Sequence, residues 1–188
     1  GGMLSSYLLY LVTIVLINAN HGGHYASGDE GHGQCCSAHK VNQFTQNMDD
    51  YYNQCSNDAI EDGQVTNGHP KYDCVVQCYG EKLGVVNREG YVMKKEFMRL
   101  ASDLYTETSM RELAREKADH CVDHSNKLAK GLRARDPSTH GCSLAMTLVN
   151  ICTLIEVELN CPPQFKDTSE RCNHFRKSLE NFKATTMP

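Results

Sequence analysis

The cysteines are the residues with the clearest capacity for chemistry in this 188-residue chain, which contains ten of them. An even number at irregular spacings fits a disulfide framework in a secreted protein, or metal sites in a cytosolic one. Cys74 and Cys78 are four residues apart and share one face of a predicted helix. A helix with two thiols on one face can be joined to two other elements on the same side.

The N-terminal sequence favours the secreted alternative. An apolar run, Tyr7–Ile17, is too short to span a bilayer comfortably, and small and polar residues follow it. We interpret residues 1–19 as an expression scar (Gly1 and Gly2) and a signal peptide cleaved after Ala19, although no Lys or Arg precedes the run. The alternative is a buried N-terminal helix or strand. If the leader is retained, its apolar residues 8–17 should pack against the core or a neighbouring chain.

The histidines give weak signals for a metal site. Residues 20–38 form a Gly/His-rich segment that is typical of a flexible linker, and His21, His24, His32 and His39 lie in or beside it. His120 and His124 could seat Zn²⁺ from one helix face, but two ligands rarely suffice. We therefore predict no metal site and no other cofactor.

Catalytic motifs are equally weak. The run Cys35-Cys36-Ser-Ala-His39 resembles the active-site opening of secreted phospholipases, but Lys40 stands where that family has Asp. Asn42 also replaces a cysteine, and His39 has no carboxylate to orient it. No G-x-S-x-G, H-E-x-x-H or phosphate-loop motif occurs, so we predict that the protein is not an enzyme. A lipase-like hydrolase would need a supported nucleophile or base.

Composition sets further limits on function. Hydrophobic residues make up 40% of the chain, which is enough for a core, and the formal net charge is −4 with no basic block. Nucleic-acid binding is disfavoured, because phosphate neutralisation needs clustered Lys and Arg.

Apolar residues recur at helical spacing through most of the chain. The spacing predicts helices over Lys40–Cys55, Tyr72–Leu83, Arg88–Tyr105, Ser109–Leu132, Ser143–Leu159 and Ser169–Lys183. The Ser143–Leu159 segment is almost entirely apolar on one face, which is typical of a central helix. Residues 67–70 predict a turn with Pro70 in the first turn of the next helix, and Gly84 should end that helix. Ser109 and Glu112 fit a capping box.

The complete cysteine series identifies a family resemblance. Three residues separate Cys74 from Cys78 and eight separate Cys152 from Cys161, as in insect odorant-binding proteins. Cys142, Pro162 and the trailing Cys172 resemble the Plus-C subgroup of that family. Residues 81–90, with the run Glu-Lys-Leu-Gly-Val-Val and then Gly, are similar to the stretch that follows the paired cysteines there. The resemblance covers Cys55 to about Phe182 and leaves the N-terminal segment unexplained.

The resemblance implies a fold and a disulfide pairing. We expect an all-α, disulfide-stapled bundle of about six to eight helices around an apolar cavity, formed by residues 39–188 as one domain. The implied bridges are Cys55–Cys78, Cys74–Cys152 and Cys121–Cys161. A vicinal Cys35–Cys36 bond would be strained, so we expect Cys35 and Cys36 to reach Cys142 and Cys172, in either order.

The resemblance also implies a secreted, extracellular carrier of small hydrophobic volatile molecules, with an odorant receptor as a further candidate partner. A carrier needs an apolar cavity with one or two polar groups that orient the ligand. The candidate wall residues, each of which has ordinary core packing as its alternative, are Val76, Leu83, Met93, Phe97, Met98, Leu100, Leu104, Met110, Leu113, Leu128, Leu148, Ile151 and Ile155. The candidate polar groups are Tyr79, Tyr91 and Tyr105.

Three alternatives stay open at this stage. Ligand release could follow protonation of His120, His124, His140 and His174 as the pH falls toward 5, although exposed histidines without a role are the simpler interpretation. Exchange of the N-terminal segment between chains could form a homodimer. The chain could instead be a secreted protein-binding module whose apolar faces are only core.

Overall fold

Helices dominate the structure, a computed structural model that describes residues 35–38, 42–135 and 141–186. The six α-helices of these ranges are α1 (Asn42–Glu61), α2 (Tyr72–Lys82), α3 (Lys94–Asp103), α4 (Thr108–Arg135), α5 (Ala145–Leu159) and α6 (Glu170–Thr186). A turn of 3-10 helix at Pro163–Phe165 precedes α6. The predicted all-α class is confirmed. The predicted leader, the linker up to residue 34, His39 and His140 lie outside the described residues.

The segment between α1 and α2 is a small hairpin. Strands β1 (Val65–Thr66) and β2 (His69–Pro70) pair antiparallel, and the turn residues Asn67 and Gly68 have φ of 53° and 79°. Asn-Gly is the dipeptide that a two-residue turn of this kind favours. The predicted turn is correct, but Pro70 is wrong as a helical residue, because it pairs with Val65 before α2 begins at Tyr72.

Glycine ends α2 as predicted, and a turn that contains a second glycine precedes α3. The helix stops at Lys82, and Gly84 follows with a φ of 69°, a conformation that costs a residue without a side chain little. The predicted start of α3 at Arg88 is wrong, since α3 begins at Lys94. Residues before it form a tight turn, in which the Asn87 Oδ1 accepts hydrogen bonds from the Glu89 and Tyr91 backbone N–H groups and Gly90 has a φ of 85°.

The predicted capping box at the start of α4 is also wrong. The helix begins at Thr108, so that Ser109 lies inside it. The first intrahelical bonds run from the backbone N–H groups of Met110 and Arg111 to the Glu107 carbonyl oxygen. Ser109 therefore cannot be the N-cap residue that exchanges hydrogen bonds with Glu112 in a capping box.

The α5 helix is central, as its apolar sequence predicts. It packs against α2, α4 and α6, and ten of its fifteen residues are buried. Only Asn150 and Leu154 are exposed within it. No helix in the described ranges is both long and apolar enough to cross a membrane.

Five disulfides join the described residues, and all ten cysteines take part in them. The bridges are Cys35–Cys172, Cys36–Cys161, Cys55–Cys78, Cys74–Cys142 and Cys121–Cys152. The prediction for Cys55–Cys78 is confirmed, as is the prediction that Cys35 and Cys36 do not bond to each other. The Cys35–Cys172 bridge is one of the two that the N-terminal cysteines were expected to make.

Two implied bridges and one expected partner are wrong. Cys74 pairs with Cys142 rather than Cys152, because the chain entering α5 passes the start of α2, where Gly141 lies beside Gln64 and the Cys74 sulfur. Cys152 is therefore free to bond across the packed α4 and α5 helices to Cys121.

Residues 35–38, here called the N-terminal arm, provide the partner of Cys161. Residues 35–38 run beside the segment after α5. The backbones of Cys36 and Lys166 form an antiparallel β-bridge, and the Ser37 N–H donates a hydrogen bond to the Phe165 carbonyl. This places Cys36 next to Cys161, which was expected to bond to Cys121. The arm therefore closes the α5–α6 region instead of reaching Cys142.

Candidate ligand-binding site

The largest apolar cluster of the described residues lies between α2, α3, α4 and α5, and we call it the main cluster. Its buried members are Cys36, Ala38, Val76, Val85, Val86, Val92, Phe97, Ala101, Met110, Ala114, Ala118, Cys121, Val122, Ala129, Ala145, Met146, Val149, Cys152, Val157 and Cys161. Ten partly buried side chains pack against it: Tyr72, Tyr79, Leu83, Tyr91, Met98, Leu100, Tyr105, Leu113, Leu148 and Phe165. The Cys121–Cys152 bridge runs through it.

Most of the predicted wall residues meet in this cluster. Those that it contains or that pack against it are Val76, Leu83, Phe97, Met98, Leu100, Met110, Leu113 and Leu148. Met93 and Leu104 are half-buried at the two ends of α3. Hydrophobic side chains contributed by several helices are the usual lining of a small-molecule site.

Three predicted wall residues lie elsewhere. Ile151 and Ile155 belong to a second cluster, here called the α6 cluster, which consists of Ile151, Ile155, Leu179 and Phe182 with Leu159 and Phe175 against it. Leu128 is on the outer side of α4, 38% exposed, and enters neither cluster. Helical spacing alone could not separate these positions, because α5 buries opposite faces against different helices.

Several side chains hold the loop that closes one side of the main cluster, and Asn126 on α4 makes two of the hydrogen bonds. The Asn126 carboxamide accepts a hydrogen bond from the Val92 N–H at 3.0 Å and donates one to the Val92 carbonyl at 2.9 Å. The Met93 N–H donates a hydrogen bond to the Val85 carbonyl, which joins the two ends of the loop formed by residues 85–93. Val85, Val86 and Val92 are thereby held against α4 and α5.

The predicted tyrosines stand at the edges of the main cluster. Tyr79 packs edge-to-face on Tyr52, with ring centroids 6.4 Å apart, and Lys130 lies 4.9 Å above the Tyr91 ring. Burial, together with the Glu158 carboxylate, raises the pKa of Tyr105 to about 12. Its phenol is therefore a neutral hydrogen-bonding group at any physiological pH.

Buried polar groups are the functional candidates that the sequence reasoning missed. Ser125, Ser143, Thr147, Glu156, Glu158 and Arg176 are all buried. Glu156 and Glu158 could have been recognised as two carboxylates inside an otherwise apolar helix. Ser125 and Arg176 carry no such signal, because a lone Ser or Arg within a helix is most often exposed.

The charged members of this set lie on the α6 side. Arg176 is within 3.3 Å of the Glu158 carboxylate and donates to the Cys35 and Asp167 carbonyl oxygens at 2.9 and 2.6 Å. Lys183 pairs with Glu156. Burial raises the pKa of Glu158, although Arg176 opposes that shift.

Asp73 has a similar environment on α2. Burial raises the pKa of this carboxyl, and the Thr147 hydroxyl, which donates to it at 3.1 Å, works in the opposite direction. The bond joins α2 to α5 at the edge of the core.

An open depression of about 520 Å³ lies on the outer surface of α6. Its lining residues, all of polar or charged types, are Glu170, Arg171, Asn173, His174 and Lys177, whereas the predicted cavity has aliphatic, aromatic and methionine walls. None of the predicted wall residues contributes to it.

The metal-binding alternatives gain nothing from the geometry of the described residues. The stacked His120 and His124 rings are 6.4 Å apart, without a third ligand beside them in the described part of the chain. Within that part, one compact group of metal-ligating types exists, Cys55, Asp58 and Cys78, but its two sulfurs form a disulfide.

Comparison with known proteins identifies the family. A sequence model of the PBP/GOBP family matches residues 34–149, which is more than half of the chain. No curated protein and no solved structure matches the chain. The matched segment carries α1 to α4, the start of α5 and most of the main cluster. The chain therefore belongs to the PBP/GOBP family, whose members are carriers of small hydrophobic odorants and pheromones rather than enzymes.

Proposed function

We propose that this protein is a secreted carrier of the Plus-C type that binds a small hydrophobic volatile molecule within the main cluster. The family match supports the carrier role. Ten cysteines, and Pro162 directly after Cys161, support the subgroup. Five disulfides support an oxidising, extracellular location, which fits residues 3–19 as a signal peptide. We include in the proposal delivery to an odorant receptor and a homodimer formed through the N-terminal segment.

The main cluster carries the proposal because it combines apolar side chains with a rigid frame. Walls from α2, α3, α4 and α5 meet there, and the Cys121–Cys152 bridge fixes the α4–α5 contact at its centre. Methionines, Met110 and Met146 among the buried ones and Met98 at the edge, adapt their shape to different ligands at little cost. We propose Val76, Leu83, Phe97, Met98, Leu100, Met110, Leu113 and Leu148 as the contact residues, with Met93 and Leu104 at the ends of α3.

The experiment that tests this proposal is displacement of a fluorescent naphthylamine probe from the oxidised protein. A panel of terpenoids, aromatic alcohols and fatty acids would compete with the probe. We expect micromolar displacement by some members and none by others. A folded protein with five intact disulfides that binds neither probe nor panel would contradict the carrier role and favour the protein-binding module.

Two leucines on α5 provide a matched pair of variants that locates the site. Leu148 packs against the main cluster, whereas Leu154 is 39% exposed. Leu148→Ala removes apolar contacts and should weaken binding of the best ligand about 5-fold or more, since each buried methylene contributes about 0.8 kcal/mol. Leu154→Ala deletes the same atoms and should leave the affinity unchanged. Equal affinities for both variants would move the site away from the main cluster.

A further inference from the structure

Among the described residues, two buried hydroxyl oxygens have no hydrogen-bond partner, Ser125 Oγ and Thr153 Oγ1, and of these two residues Ser125 alone is buried as a whole. Three residues with hydroxyl side chains are buried: Ser125, Ser143 and Thr147. The Ser143 Oγ accepts a hydrogen bond from the Ala145 N–H, and the Thr147 Oγ1 donates to Asp73. The Ser125 Oγ has no hydrogen-bond partner within the described part of the chain, although the residue is only 1% exposed.

The Ser125 hydroxyl is unusual because it does not form even the hydrogen bond that its own helix offers. A serine inside a helix can bond to the carbonyl oxygen four residues earlier, which here belongs to Cys121. Ser125 does not make that bond. A buried polar atom without a partner is unfavourable, and most buried polar atoms in proteins bond to protein, water or a ligand.

The position of Ser125 connects it to the proposed carrier site. It lies on the buried face of α4, one helical turn from Cys121 and one from Ala129, both members of the main cluster. Asn126, next to it, holds Val92 against the same helix. Ser125 therefore lies on the face of α4 that packs into the main cluster, where the ligand is proposed to bind.

The surroundings of Ser125 also limit the charge of a ligand. The other buried residues of α4 are all uncharged: Met110, Ala114, Ala118, Cys121, Val122 and Ala129. The buried Glu156, Glu158 and Arg176 are engaged by ion pairs on the α6 side. An ionised ligand group beside Ser125 would thus have no ionic partner among the buried residues of α4, and burying an unpaired charge is very costly.

We infer that Ser125 is the polar anchor of the carrier site, and that the ligand is a neutral hydrophobic molecule with one hydrogen-bonding oxygen. An aliphatic alcohol or a carbonyl compound has this chemistry, whereas a hydrocarbon lacks the oxygen and an ionised fatty acid brings a charge. This inference rests on the proposed carrier function. The Ser125 Oγ donates to the ligand oxygen or accepts from its hydroxyl, and the apolar remainder of the ligand contacts the main cluster.

A ligand series of matched chain length tests the assignment in the oxidised, full-length protein. Binding of decane, 1-decanol and decanoic acid at pH 7 is measured by displacement of the naphthylamine probe, for the parent protein and for Ser125→Ala. We expect Ser125→Ala to weaken 1-decanol binding by roughly 2- to 10-fold, as loss of one hydrogen bond predicts, and to leave decane binding unchanged. Decanoic acid should bind more weakly than 1-decanol to both proteins.

Two control variants separate an anchor from a merely structural residue. Ser143→Ala removes a buried hydroxyl that already has a partner, so it should lower the melting temperature without changing the ratio of 1-decanol to decane affinity. Thr153→Val removes the Thr153 Oγ1, which is also buried without a partner, and should leave that ratio unchanged. Ser125→Ala should melt at the same temperature as the parent protein or higher, because it removes an unsatisfied group.

The possible results distinguish the anchor from the carrier function itself. If Ser125→Ala keeps the parent's ratio of 1-decanol to decane affinity, the hydroxyl serves an internal water or nothing, and the inference is wrong while the carrier role stands. If Thr153→Val is the only variant that lowers the ratio of 1-decanol to decane affinity, the anchor is on α5 and the assignment to Ser125 is wrong. If the parent protein binds none of the three compounds and no probe, the proposed function itself fails.

Discussion

The main cluster and the α6 region are held together by different forces. The main cluster contains the apolar faces of four helices, and the Cys121–Cys152 bridge lies within it. The α6 cluster has four buried apolar residues, yet α6 is seventeen residues long. Two disulfides, Cys35–Cys172 and Cys36–Cys161, and two ion pairs with buried carboxylates accompany that small cluster.

The difference follows from the amount of apolar surface available. Fully burying one large apolar side chain contributes about 1.5–3 kcal/mol, and this must exceed the entropy lost by every residue that becomes ordered. Four such side chains contribute about 6–12 kcal/mol, which falls short of the conformational entropy that seventeen ordered residues lose at about 1–2 kcal/mol each. Covalent bridges and buried charge supply the rest, so the α6 region should respond more strongly than the main cluster to changes in redox state and pH.

The largest effect that we predict comes from removing both bridges of the N-terminal arm. They join nearly the same two segments, with sequence separations of 137 and 125. Loss of either one leaves a loop of about a dozen residues free and should cost about 3 kcal/mol, whereas loss of both should cost about 5 kcal/mol more. Urea unfolding of the Cys35→Ser/Cys172→Ser double variant, the Cys36→Ser/Cys161→Ser double variant and their combination measures this.

A bridge in another part of the molecule provides the control for that series. Cys55–Cys78 joins α1 to α2 across 23 residues, and its removal should also cost about 3 kcal/mol. Limited proteolysis between residues 162 and 170 should release α6 from each variant that lacks Cys35–Cys172, because Cys172 lies within the helix and Cys161 precedes it. Equal costs for the first and for the second arm bridge removed would show that the two do not share a loop.

The second prediction concerns the buried charge under α6. Arg176→Ala leaves Glu158 buried without its partner and removes the donor to the Cys35 and Asp167 carbonyls. We expect a loss of about 3–5 kcal/mol at pH 7 in urea unfolding, which is typical when one partner of a buried pair is removed. Arg111→Ala, which breaks the exposed pair with Asp103, should cost about 1 kcal/mol or less. Similar losses for both variants would mean that removing Arg176 costs no more than removing the partner of an exposed ion pair.

How far the sequence predicts the molecule also differs between these regions. The helices of the main cluster follow from apolar residues three and four positions apart, and α2, α4 and α5 lie within a few residues of their predicted bounds. The α3 start was missed because a turn at Asn87 and Gly90 interrupts a continuous helical pattern. Local hydrogen bonding decided that boundary, and apolar spacing does not record it.

Contacts between distant segments could not be predicted at the same level in either region. Which cysteine bonds to which depends on the path of the chain in space, and three of the five bridges differ from the expected partners, including Cys121–Cys152 within the main cluster. The interaction of Arg176 with Cys35 joins residues 141 positions apart. The division of the wall residues between two clusters had the same cause, since Ile151 and Leu148 are one turn apart on α5 but face different helices.

The third prediction tests how tightly the main cluster is packed. A Cβ atom added at Gly80 would lie 2.5 Å from the Val86 Cγ2 and 3.1 Å from Met146, so Gly80→Ala should destabilise the protein by about 1–3 kcal/mol. At Gly131 on α4 nothing lies within 4 Å, and Gly131→Ala should stabilise it by up to about 1 kcal/mol. Thermal unfolding checks both. If Gly80→Ala were neutral, the cluster would have spare volume near α2.

The smallest effect that we predict is a dependence of stability on pH that originates in the α6 region. Burial raises the pKa of Glu158 above its ordinary value of 4.5, so between those two values the folded protein binds more protons at this site than the unfolded chain. Stability contributed by this site therefore falls as the pH rises through that window. The Glu158→Gln variant cannot titrate there.

Urea unfolding between pH 4 and 8 tests the sign. The difference in stability between the parent protein and Glu158→Gln should change across the window in favour of the variant as the pH rises, and the change should be absent in Arg111→Ala. Asp167 contributes with the opposite sign, because a hydrogen bond from the Ser169 N–H lowers the pKa of that carboxyl. Its contribution is lost as the pH falls through the lowered value, in parent and variant alike, and cancels in the difference. A difference that moved the other way would mean that the Arg176 ion pair outweighs the burial of Glu158.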